Sequence, residues 1–389
     1  MKKILISIFV LLFRIIAKLV LCFISFATIC GSAFAIPLSP FDIIDIGKSD
    51  LLGADYAQIN NSGQMLGIAL GTQMDRVTIF WDNGTITNLP TLGGTRTYGS
   101  GINDFGQIVG ISEIATGTID TNGPFHSFIW DKVNGIQDIT PNVSGTYANG
   151  INNLGQVVGT WNYQQKVFIW DANNGFTNIF GAPGLQQSPC INNLGNVAVR
   201  TDRAVFLWNS ITGLKQITEL GDATADDIND LTQIVGRSLE NGSNAFVWDN
   251  VNGIRYLVPL HLTSYANSIN NNAQIVGYFM DQTGTTDPGI VPYLWENGFT
   301  YDLNSLIPND LGWRLLIPFD INDFGQIIGI GSLNGEHHTF LLTHNPLIPM
   351  PDPINFVYPP PPPIPEPSTF LLLGVGLAGV GLLWRRFKS

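Results

Sequence analysis

Few side chains in this sequence have the type and spacing that catalysis or metal binding requires. The chain has five histidines. Two of them, His337 and His338, are adjacent and follow Glu336, and these three residues form the one local cluster that contains histidine. The sequence contains no His-Glu-x-x-His, phosphate-loop, nucleophile-elbow or paired-cysteine motif. The histidine cluster lies at the entrance to a predicted strand, which favours a structural role over metal binding.

Acidic residues form two further clusters. They are Asp226, Asp227 and Asp230 around Asn229, and Asp320 and Asp323 on either side of Asn322. Ca²⁺ takes several oxygen ligands, so either cluster could hold it. Both clusters lie in predicted turns, however, where Asn and Asp shape the backbone without an ion. We therefore expect no cofactor, with calcium as the open alternative.

Nucleophilic and glycosidic chemistry have no assigned residue. Cys190 precedes one of the repeated phrases described below, in a predicted inner strand, which favours a small packed residue over a nucleophile. Glycoside hydrolysis depends on the separation of two carboxylates, which a sequence does not give. The sequence therefore identifies no catalytic residue.

One phrase, repeated seven times, builds the elements that would position these residues. It reads Ile-Asn, two residues, usually Gly-Gln, then an apolar pair. The copies begin at Ile59, Ile102, Ile151, Ile191, Ile228, Ile269 and Ile321, about 44 residues apart on average. In two copies Thr232 and Ala273 replace the Gly, so we expect those turns to be strained or differently shaped.

A second landmark follows each phrase: two apolar residues, usually with Trp next, as in Phe128-Ile129-Trp130. An unbroken apolar triplet predicts a strand covered on both faces. Asn-Gly pairs after most of the Trp residues predict tight hairpins. Each repeat is therefore interpreted as four strands.

Four strands at this period predict an all-β, seven-bladed β-propeller over residues 36–345; a β-helix is the alternative. The seventh repeat ends at residues 343–345 without a fourth strand. The strand-like piece at residues 41–47 precedes the first repeat and is predicted to supply it. This pairing would close the ring and remove an exposed sheet edge.

Blade topology predicts where a ligand would bind. Every long insertion falls in connections that open on the same face of the ring, and function commonly lies on such loops of a rigid scaffold. The candidate ligand-binding residues on this face are Asp120, Asp281, Asp287, Trp313 and Arg314. Tolerated surface insertions are the alternative interpretation.

The two ends of the chain predict export. A basic stretch, an apolar run and the Ala33-Phe34-Ala35 site predict a signal peptide, residues 1–35, with a retained membrane helix as the alternative. Residues 346–367 are rich in Pro and predict an extended linker. Residues 368–389 contain an apolar run and a basic end, which predict a transmembrane helix.

The C-terminus resembles the PEP-CTERM sorting tail of Gram-negative bacteria. The resemblance rests on Pro365-Glu366-Pro367, the Gly-rich apolar run and the basic pair Arg385-Arg386. It implies recognition by a membrane enzyme of the exosortase type, anchoring in the membrane before sorting, and delivery to the cell surface or the extracellular space. An ordinary tail anchor is the alternative.

The repeats resemble the HAF family of extracellular repeats, named for a His-Ala-Phe triplet. This chain keeps the triplet loosely, as His126-Ser127-Phe128 and His338-Thr339-Phe340. The resemblance covers residues 41–343. It implies secretion and no defined chemistry.

Charge narrows the class of partner. Residues 36–365 hold 29 acidic and 11 basic residues, a net charge of −18, which disfavours nucleic acid. We expect a secreted or surface-sorted propeller that binds carbohydrate or another envelope ligand, or that serves as a structural protein of the envelope or matrix. The alternative is a secreted hydrolase or lyase that acts on polysaccharide through acidic residues of the loop-rich face.

Overall fold

The repeats fold into a ring of β-sheets. The computed structural model describes residues 39–48, 57–70, 76–115, 125–143, 145–161, 166–181, 188–201, 204–217, 220–240, 242–281 and 289–356. Within them, 28 strands form seven four-stranded antiparallel sheets, so the predicted all-β, seven-bladed propeller is confirmed. The predicted signal peptide and sorting segment lie outside the described residues.

The first strand in the chain, β1 (Phe41–Lys48), belongs to the last blade. Blade 1 contains β2 (Ala57–Ile59), β3 (Met65–Leu70), β4 (Arg76–Asp82) and β5 (Thr85–Asn88). Blade 2 contains β6 (Gly93–Ile102), β7 (Ile108–Ile114), β8 (Phe125–Asp131) and β9 (Gly135–Asp138). Blade 3 contains β10 (Tyr147–Ile151), β11 (Val157–Trp161), β12 (Lys166–Asp171) and β13 (Gly175–Gly181). Blade 4 contains β14 (Cys190–Ile191), β15 (Val197–Thr201), β16 (Ala204–Asn209) and β17 (Gly213–Ile217).

The remaining blades follow in the same order. Blade 5 contains β18 (Asp227–Ile228), β19 (Ile234–Ser238), β20 (Asn244–Asp249) and β21 (Gly253–Tyr256). Blade 6 contains β22 (Ser264–Ile269), β23 (Ile275–Asp281), β24 (Gly289–Glu296) and β25 (Phe299–Asp302), followed by a 3₁₀ helix (Leu303–Leu306). Blade 7 contains β26 (Trp313–Ile321), β27 (Ile327–Leu333), β28 (Glu336–His344) and β1. No helix among these residues has the length and apolarity needed to cross a membrane.

The third strand of each blade explains the apolar triplets. In β8, Phe128, Ile129 and Trp130 are all buried, although neighbouring residues of a strand point to opposite faces. Both faces are therefore covered, by the blades on either side. The same packing forms the core clusters that join successive blades, such as the one that contains Phe80, Phe128 and Trp130.

A Gly follows the apolar pair of most phrases, and its place there has a steric cause. A Cβ on Gly110 would lie 1.9 Å from the Tyr98 carbonyl oxygen of the neighbouring inner strand. The pairing of β6 with β7 is irregular at this point, between Gly99 and Gly101. Close backbone approach at a bulge thus requires a residue without a side chain.

The ring closes as the sequence predicts. Strand β1 pairs antiparallel with β28, from Phe41 opposite His344 to Lys48 opposite His338. His338 Nδ1 lies 2.9 Å from Asp45 Oδ1, and Lys48 Nζ lies 2.8 Å from a Glu336 carboxylate oxygen. Two members of the histidine cluster, His338 and Glu336, therefore contribute to ring closure, in agreement with the predicted structural role.

The first half of the Pro-rich segment lies against the ring. The Asn345 N–H donates to Pro40 O at 2.8 Å, and the Ile354 N–H donates to Thr300 O at 2.8 Å. The Phe356 ring packs edge-on against Phe279, with 5.7 Å between centroids. Residues 345–356 thus form a strap along the outside of blades 7 and 6.

Two faces of the ring are defined by the antiparallel order of the strands. The turn face carries the connections between first and second strands, such as residues 60–64, and between third and fourth strands, such as residues 83–84. The loop face carries the other connections, such as residues 303–312. The first strand of every blade lies nearest the axis of the ring.

Candidate functional site

A ring of asparagines encircles the axis on the turn face. Its members are the first Asn of each phrase: Asn60, Asn103, Asn152, Asn192, Asn229, Asn270 and Asn322, all buried. Each Nδ2 donates to the backbone oxygen of its counterpart in the next blade, at 2.8–3.1 Å. The bond from Asn322 to Asn60 returns from blade 7 to blade 1. These residues therefore join the blades as well as shaping the turns.

The next residue of each phrase forms a second ring beside the first. Its members are Asn61, Asp104, Asn153, Asn193, Asp230, Asn271 and Asp323. Each backbone N–H donates to the side-chain Oδ1 of the next blade's member at 2.7–2.9 Å. Each Asp stands between two Asn and accepts from both side-chain amides. A ring of seven holds at most three carboxylates without placing two side by side.

These contacts account for two of the residues considered as calcium ligands. Asp230 and Asp323 bond to amide groups across the seams between blades. Among the residues that the structure describes, no group of three or more His, Cys, Asp or Glu side chains is arranged to hold a metal ion.

The loop face has a cavity of about 830 Å³ on the axis of the ring. Inner-strand residues from all seven blades line it, together with Tyr278 of β23. Its hydrogen-bonding side chains are Gln58, Ser100, Asn149, Ser188, Asp226, Asp227, Asn267, Ser268, Tyr278 and Asp320. This volume lies in the range of small-molecule binding sites, about 300–1,000 Å³.

Two carboxyl groups in this cavity share a hydroxyl. Ser268 Oγ lies 2.9 Å from Asp227 Oδ2 and 2.6 Å from Asp320 Oδ1. A hydroxyl donates one hydrogen, so both contacts are hydrogen bonds only when one of the carboxyl groups keeps its proton. Burial, and then the charge of Asp320, raise the pKa of Asp227 to about 6. Burial also raises the pKa of Asp320.

Backbone amides occupy the same carboxyl oxygens. Asp227 Oδ2 accepts the Ile269 N–H of blade 6 at 2.9 Å, and Asp320 Oδ2 accepts the Ile59 N–H of blade 1 at 2.9 Å. Each Oδ1 accepts the N–H of the following residue, at 2.8 and 2.9 Å. All four oxygens therefore have partners within the protein, and the pair joins neighbouring inner strands.

Cys190 is packed in the wall of this cavity. Its Sγ lies 3.7 Å from Ala198 O and 3.9 Å from Ala225 O. Burial first, and then the charges of Asp227 and Asp226, raise the pKa of the thiol well above its usual value. A thiol that keeps its proton is a poor nucleophile, so the geometry agrees with the predicted packing role.

The loop-face residues chosen from the sequence lie apart from this cavity where the structure describes them. Trp313 packs edge-on against His338 and Phe340, with ring centroids 6.0 and 6.3 Å apart. Arg314 is exposed beside it, and Asp281 ends β23 opposite Gly289. None of these three lines the axial cavity. Asp120 and Asp287 lie outside the described residues.

The cavity residues themselves were missed as a group, although the sequence carries a signal for them. The residue before each phrase is Gln58, Gly101, Gly150, Cys190, Asp227, Ser268 or Asp320. This position varies between repeats whose other positions recur, and in the structure it faces the axis. When one inward-facing position varies among repeats that are otherwise alike, the fold does not require a particular residue type at that position.

Comparison with solved structures finds similar chains at low identity. A catalytically inactive virginiamycin B lyase from Staphylococcus aureus, with quinupristin, is 10% identical, with a TM-score of 0.50, over 78% of this chain and 99% of that one. The β-propeller domain of Cps50 (Swd1) from Myceliophteria thermophila is 11% identical, with a TM-score of 0.44, over 77% of this chain and 98% of that one. No curated protein sequence matches the chain.

The C-terminus is similar to a described sorting signal. Residues 363–386 match the family model of the PEP-CTERM protein-sorting motif, which confirms the resemblance that rested on Pro365-Glu366-Pro367 and Arg385-Arg386. The resemblance of the repeats to the HAF family stays a prediction. The motif indicates export and sorting to the cell surface or the extracellular space, and exosortase is the enzyme that recognises such a motif.

Proposed function

We propose that this protein is an exported, surface-sorted β-propeller that binds a polar ligand of the carbohydrate class in the axial cavity of the loop face, without catalysis. The observation that supports the proposal most is the cavity itself, about 830 Å³ and lined by amide, hydroxyl and tyrosine side chains. Small-molecule sites combine aromatic side chains with a few polar groups that fix the orientation of the ligand. Here the ring is Tyr278, stacked on Tyr265 with 4.5 Å between centroids.

The acid pair favours binding over hydrolysis. A catalytic acid must present an oxygen to the substrate, whereas the Asp227 and Asp320 oxygens each accept at least one backbone N–H. A polysaccharide hydrolase or lyase is the second candidate, because burial and then the charge of Asp320 raise the pKa of Asp227 to about 6, which suits a proton donor near neutral pH. Turnover of a bound glycan that is lost in Asp227→Asn would support that candidate.

Glycan binding by the purified chain tests the ligand proposal. Asn149→Leu replaces an amide of the cavity wall by an apolar side chain, so we expect it to weaken binding on a glycan array. Asn178→Ala is the matched control, since Asn178 is an exposed residue of the outer strand β13. Binding that survives in Asn149→Leu at full strength would overturn the placement of the site.

The loop-face side chains extend this proposed site. Asp281, Trp313 and Arg314, with Asp120 and Asp287, are proposed to contact longer ligands that reach beyond the cavity. Arg314→Ala tests this extension. We expect Arg314→Ala to weaken binding of long glycans and to leave short ones unchanged; equal effects on both would exclude the extension.

The ends of the chain are proposed to carry the export steps. Residues 1–35 act as the signal peptide, cleaved after Ala35, and residues 368–389 hold the chain in the inner membrane of a Gram-negative cell until exosortase acts. Deletion of residues 365–367 tests this. We expect tagged protein to stay with the membrane, and release equal to that of the unaltered chain would count against the sorting role.

A further inference from the structure

The turn face carries most of the strongly exposed apolar side chains of the ring. Among the described residues, the nine most exposed large apolar side chains are 62–91% exposed. One of them, Leu347, lies at the start of the strap, and the other eight lie in short turns of the turn face. We call these eight the apex residues: Phe105, Val133, Leu154, Leu194, Ile211, Leu231, Val251 and Phe324. Apolar side chains gathered on one exposed face mark an interaction surface.

The turns themselves do not require apolar residues at these positions. Ser62 and Asn272 take the place of Phe105 in blades 1 and 6, and their turns keep the same backbone hydrogen bond, at 3.0 and 3.1 Å. Asn173 takes the place of Val133 in blade 3, and its N–H donates to the aspartate two residues before it in the same way. The fold therefore leaves the residue type open, and the apolar choice points to a partner.

The apex residues stand on a flat face. All seven turns between first and second strands close with the same bond, from the N–H of the fourth residue to the oxygen of the first, so they extend equally far from the ring. Phe105, Val133 and Leu154 also border a groove of about 900 Å³. A rigid partner would need a matching hollow for each protruding side chain, whereas the acyl region of a bilayer flows around them. The shape of the face therefore favours a lipid surface.

The length of chain beyond the strap brings this face within reach of a membrane. The Phe356 ring, at the end of the strap, packs on Phe279 of blade 6. Thirteen residues, 357–369, separate it from the apolar run that begins at Phe370, and a Pro-rich segment of that length can span about 40 Å. A blade is about 30 Å high, from the nine residues of β28 at about 3.3 Å each. An anchored chain can therefore lay its turn face on the bilayer that holds its tail.

Charge decides which lipids suit this face. Asp131 and Asp171 end their strands at the turn face. Hydrogen bonds from the Asn174 side chain and then its N–H hold the pKa of Asp171 below its usual value, so this carboxyl is charged at neutral pH. Lys132, in the same groove, is paired with Asp82. Anionic head groups would be repelled by such a face, and zwitterionic ones would not.

We propose that the turn face docks on the surface of a zwitterionic bilayer through its apex residues, while the tail anchors the chain in the same membrane. This inference rests on the proposed anchoring and adds a second, reversible contact to it. One weak lipid contact binds a protein only marginally, and two together hold it stably. The loop face, with the axial cavity, is then turned away from the membrane and toward the proposed ligand.

Lipid quenching of a fluorescent label tests this orientation. The exported chain, residues 36–389, has Cys190 as its one cysteine, so Cys190→Ala provides a background for single labels. An NBD label is placed on Ser62→Cys, which keeps all eight apex residues, and separately on Asp310→Cys, an exposed position of the loop face. Each chain is reconstituted in phosphatidylcholine vesicles that contain nitroxide-labelled lipid. We expect quenching at position 62 to exceed that at position 310 by at least about threefold.

Variants identify the side chains responsible. Leu154→Ser with Leu194→Ser copies the turn of blade 1 and should lower the quenching at position 62 at least about twofold. Leu260→Ser with Leu311→Ser is the matched control, because it removes two exposed apolar side chains of the loop face, and it should change nothing. Replacing part of the lipid by phosphatidylglycerol should weaken the quenching at position 62, and added salt should restore it by screening. If the first variant does not fold, the comparison of the two labelled positions in the parent chain decides the question.

The outcomes separate this inference from the proposed anchoring. Chains that float with the vesicles but show equal quenching at both positions, or stronger quenching at position 310, would overturn docking and leave anchoring standing. Chains that stay in solution would refute the anchoring and the inference with it. Unchanged quenching in phosphatidylglycerol would overturn the preference for zwitterionic lipid. A blue shift of the label at position 62 that grows with protein concentration, without lipid quenching, would assign the face to a second copy of the chain instead.

Discussion

Removal of one asparagine from the turn-face ring should destabilise the whole propeller. The Asn152 side chain makes four hydrogen bonds: Nδ2 to Asn192 O (3.0 Å) and to Gln156 Oε1 (2.8 Å), and Oδ1 from the N–H of Leu154 (3.1 Å) and of Gln156 (2.9 Å). A hydrogen bond contributes about 1 kcal/mol net. Asn152→Ala should therefore lower the free energy of unfolding by roughly 3–5 kcal/mol.

Urea unfolding followed by tryptophan fluorescence measures this loss. Natural domains are stable by about 5–15 kcal/mol, so the expected change is a large fraction of the total. Asn178→Ala, an exposed asparagine on the outer strand β13, is the control and should change stability by less than about 0.5 kcal/mol. A loss below about 1 kcal/mol in Asn152→Ala would refute the reasoning that the ring joins the blades.

An isosteric variant separates geometry from chemistry. Asn152→Asp keeps the Oδ1 acceptor, removes both donated hydrogen bonds and places a carboxylate oxygen against Asn192 O. Because burial of an unpaired charge is costly, the loss should be larger at pH 7 than at pH 4, where the new carboxyl can keep its proton. Equal losses at both pH values would show that size alone matters at this position.

Three other predictions concern the acid pair, a strained turn and ring closure. The Asp227 carboxyl has a pKa of about 6 in the folded protein, against 3.8 for the unfolded chain. The free energy of unfolding should therefore fall by roughly 2–3 kcal/mol between about pH 4 and pH 6. Unfolding measured across this pH range should show no such fall in Asp227→Asn, and a pH profile equal to that of the unaltered chain would contradict the prediction. Ala273 has φ +59°, so Ala273→Gly should raise the melting temperature through relief of about 1 kcal/mol of strain, and no rise would mean that the turn is not strained. Deletion of residues 36–48 removes β1 and leaves β28 as an open edge, so calorimetry should show no cooperative transition, and a truncated chain as stable as the parent would exclude closure by this strand.

The blade and its closure could be predicted because they depend on short-range patterns. The alternation of turn residues with apolar triplets specifies strands at fixed spacing. The seventh repeat lacks a fourth strand, so the strand-like segment at residues 41–47 can pair only with its open edge. The substituted turns were foreseen in part. Thr232 and Ala273 keep the same turn bonds as the Gly copies, with φ of +58° and +59°, so these turns are strained and not reshaped.

The roles of individual side chains were harder to predict. The first Asn of each phrase was interpreted as a turn-forming residue. Its Nδ2 also donates a hydrogen bond to the next blade, about 44 residues away on average, and a local sequence pattern cannot show such a bond. Trp313 was chosen as a candidate ligand contact because it lies in a long insertion, and in the structure it begins β26 and packs on Phe340. An insertion in the sequence can thus extend a strand instead of forming a loop.

The amino-acid sequence by itself determined the repeat, the number of blades, the strand that completes the ring and the sorting tail, because each of these is written in residues that are close in the chain or in one recurring period. Only the tertiary structure decided what lies on the axis. Asp227, Ser268 and Asp320 come from three different blades and meet because neighbouring inner strands pack side by side around the axis. The raised pKa of Asp227 depends on that convergence, since burial and the distance between charges are properties of the assembled ring.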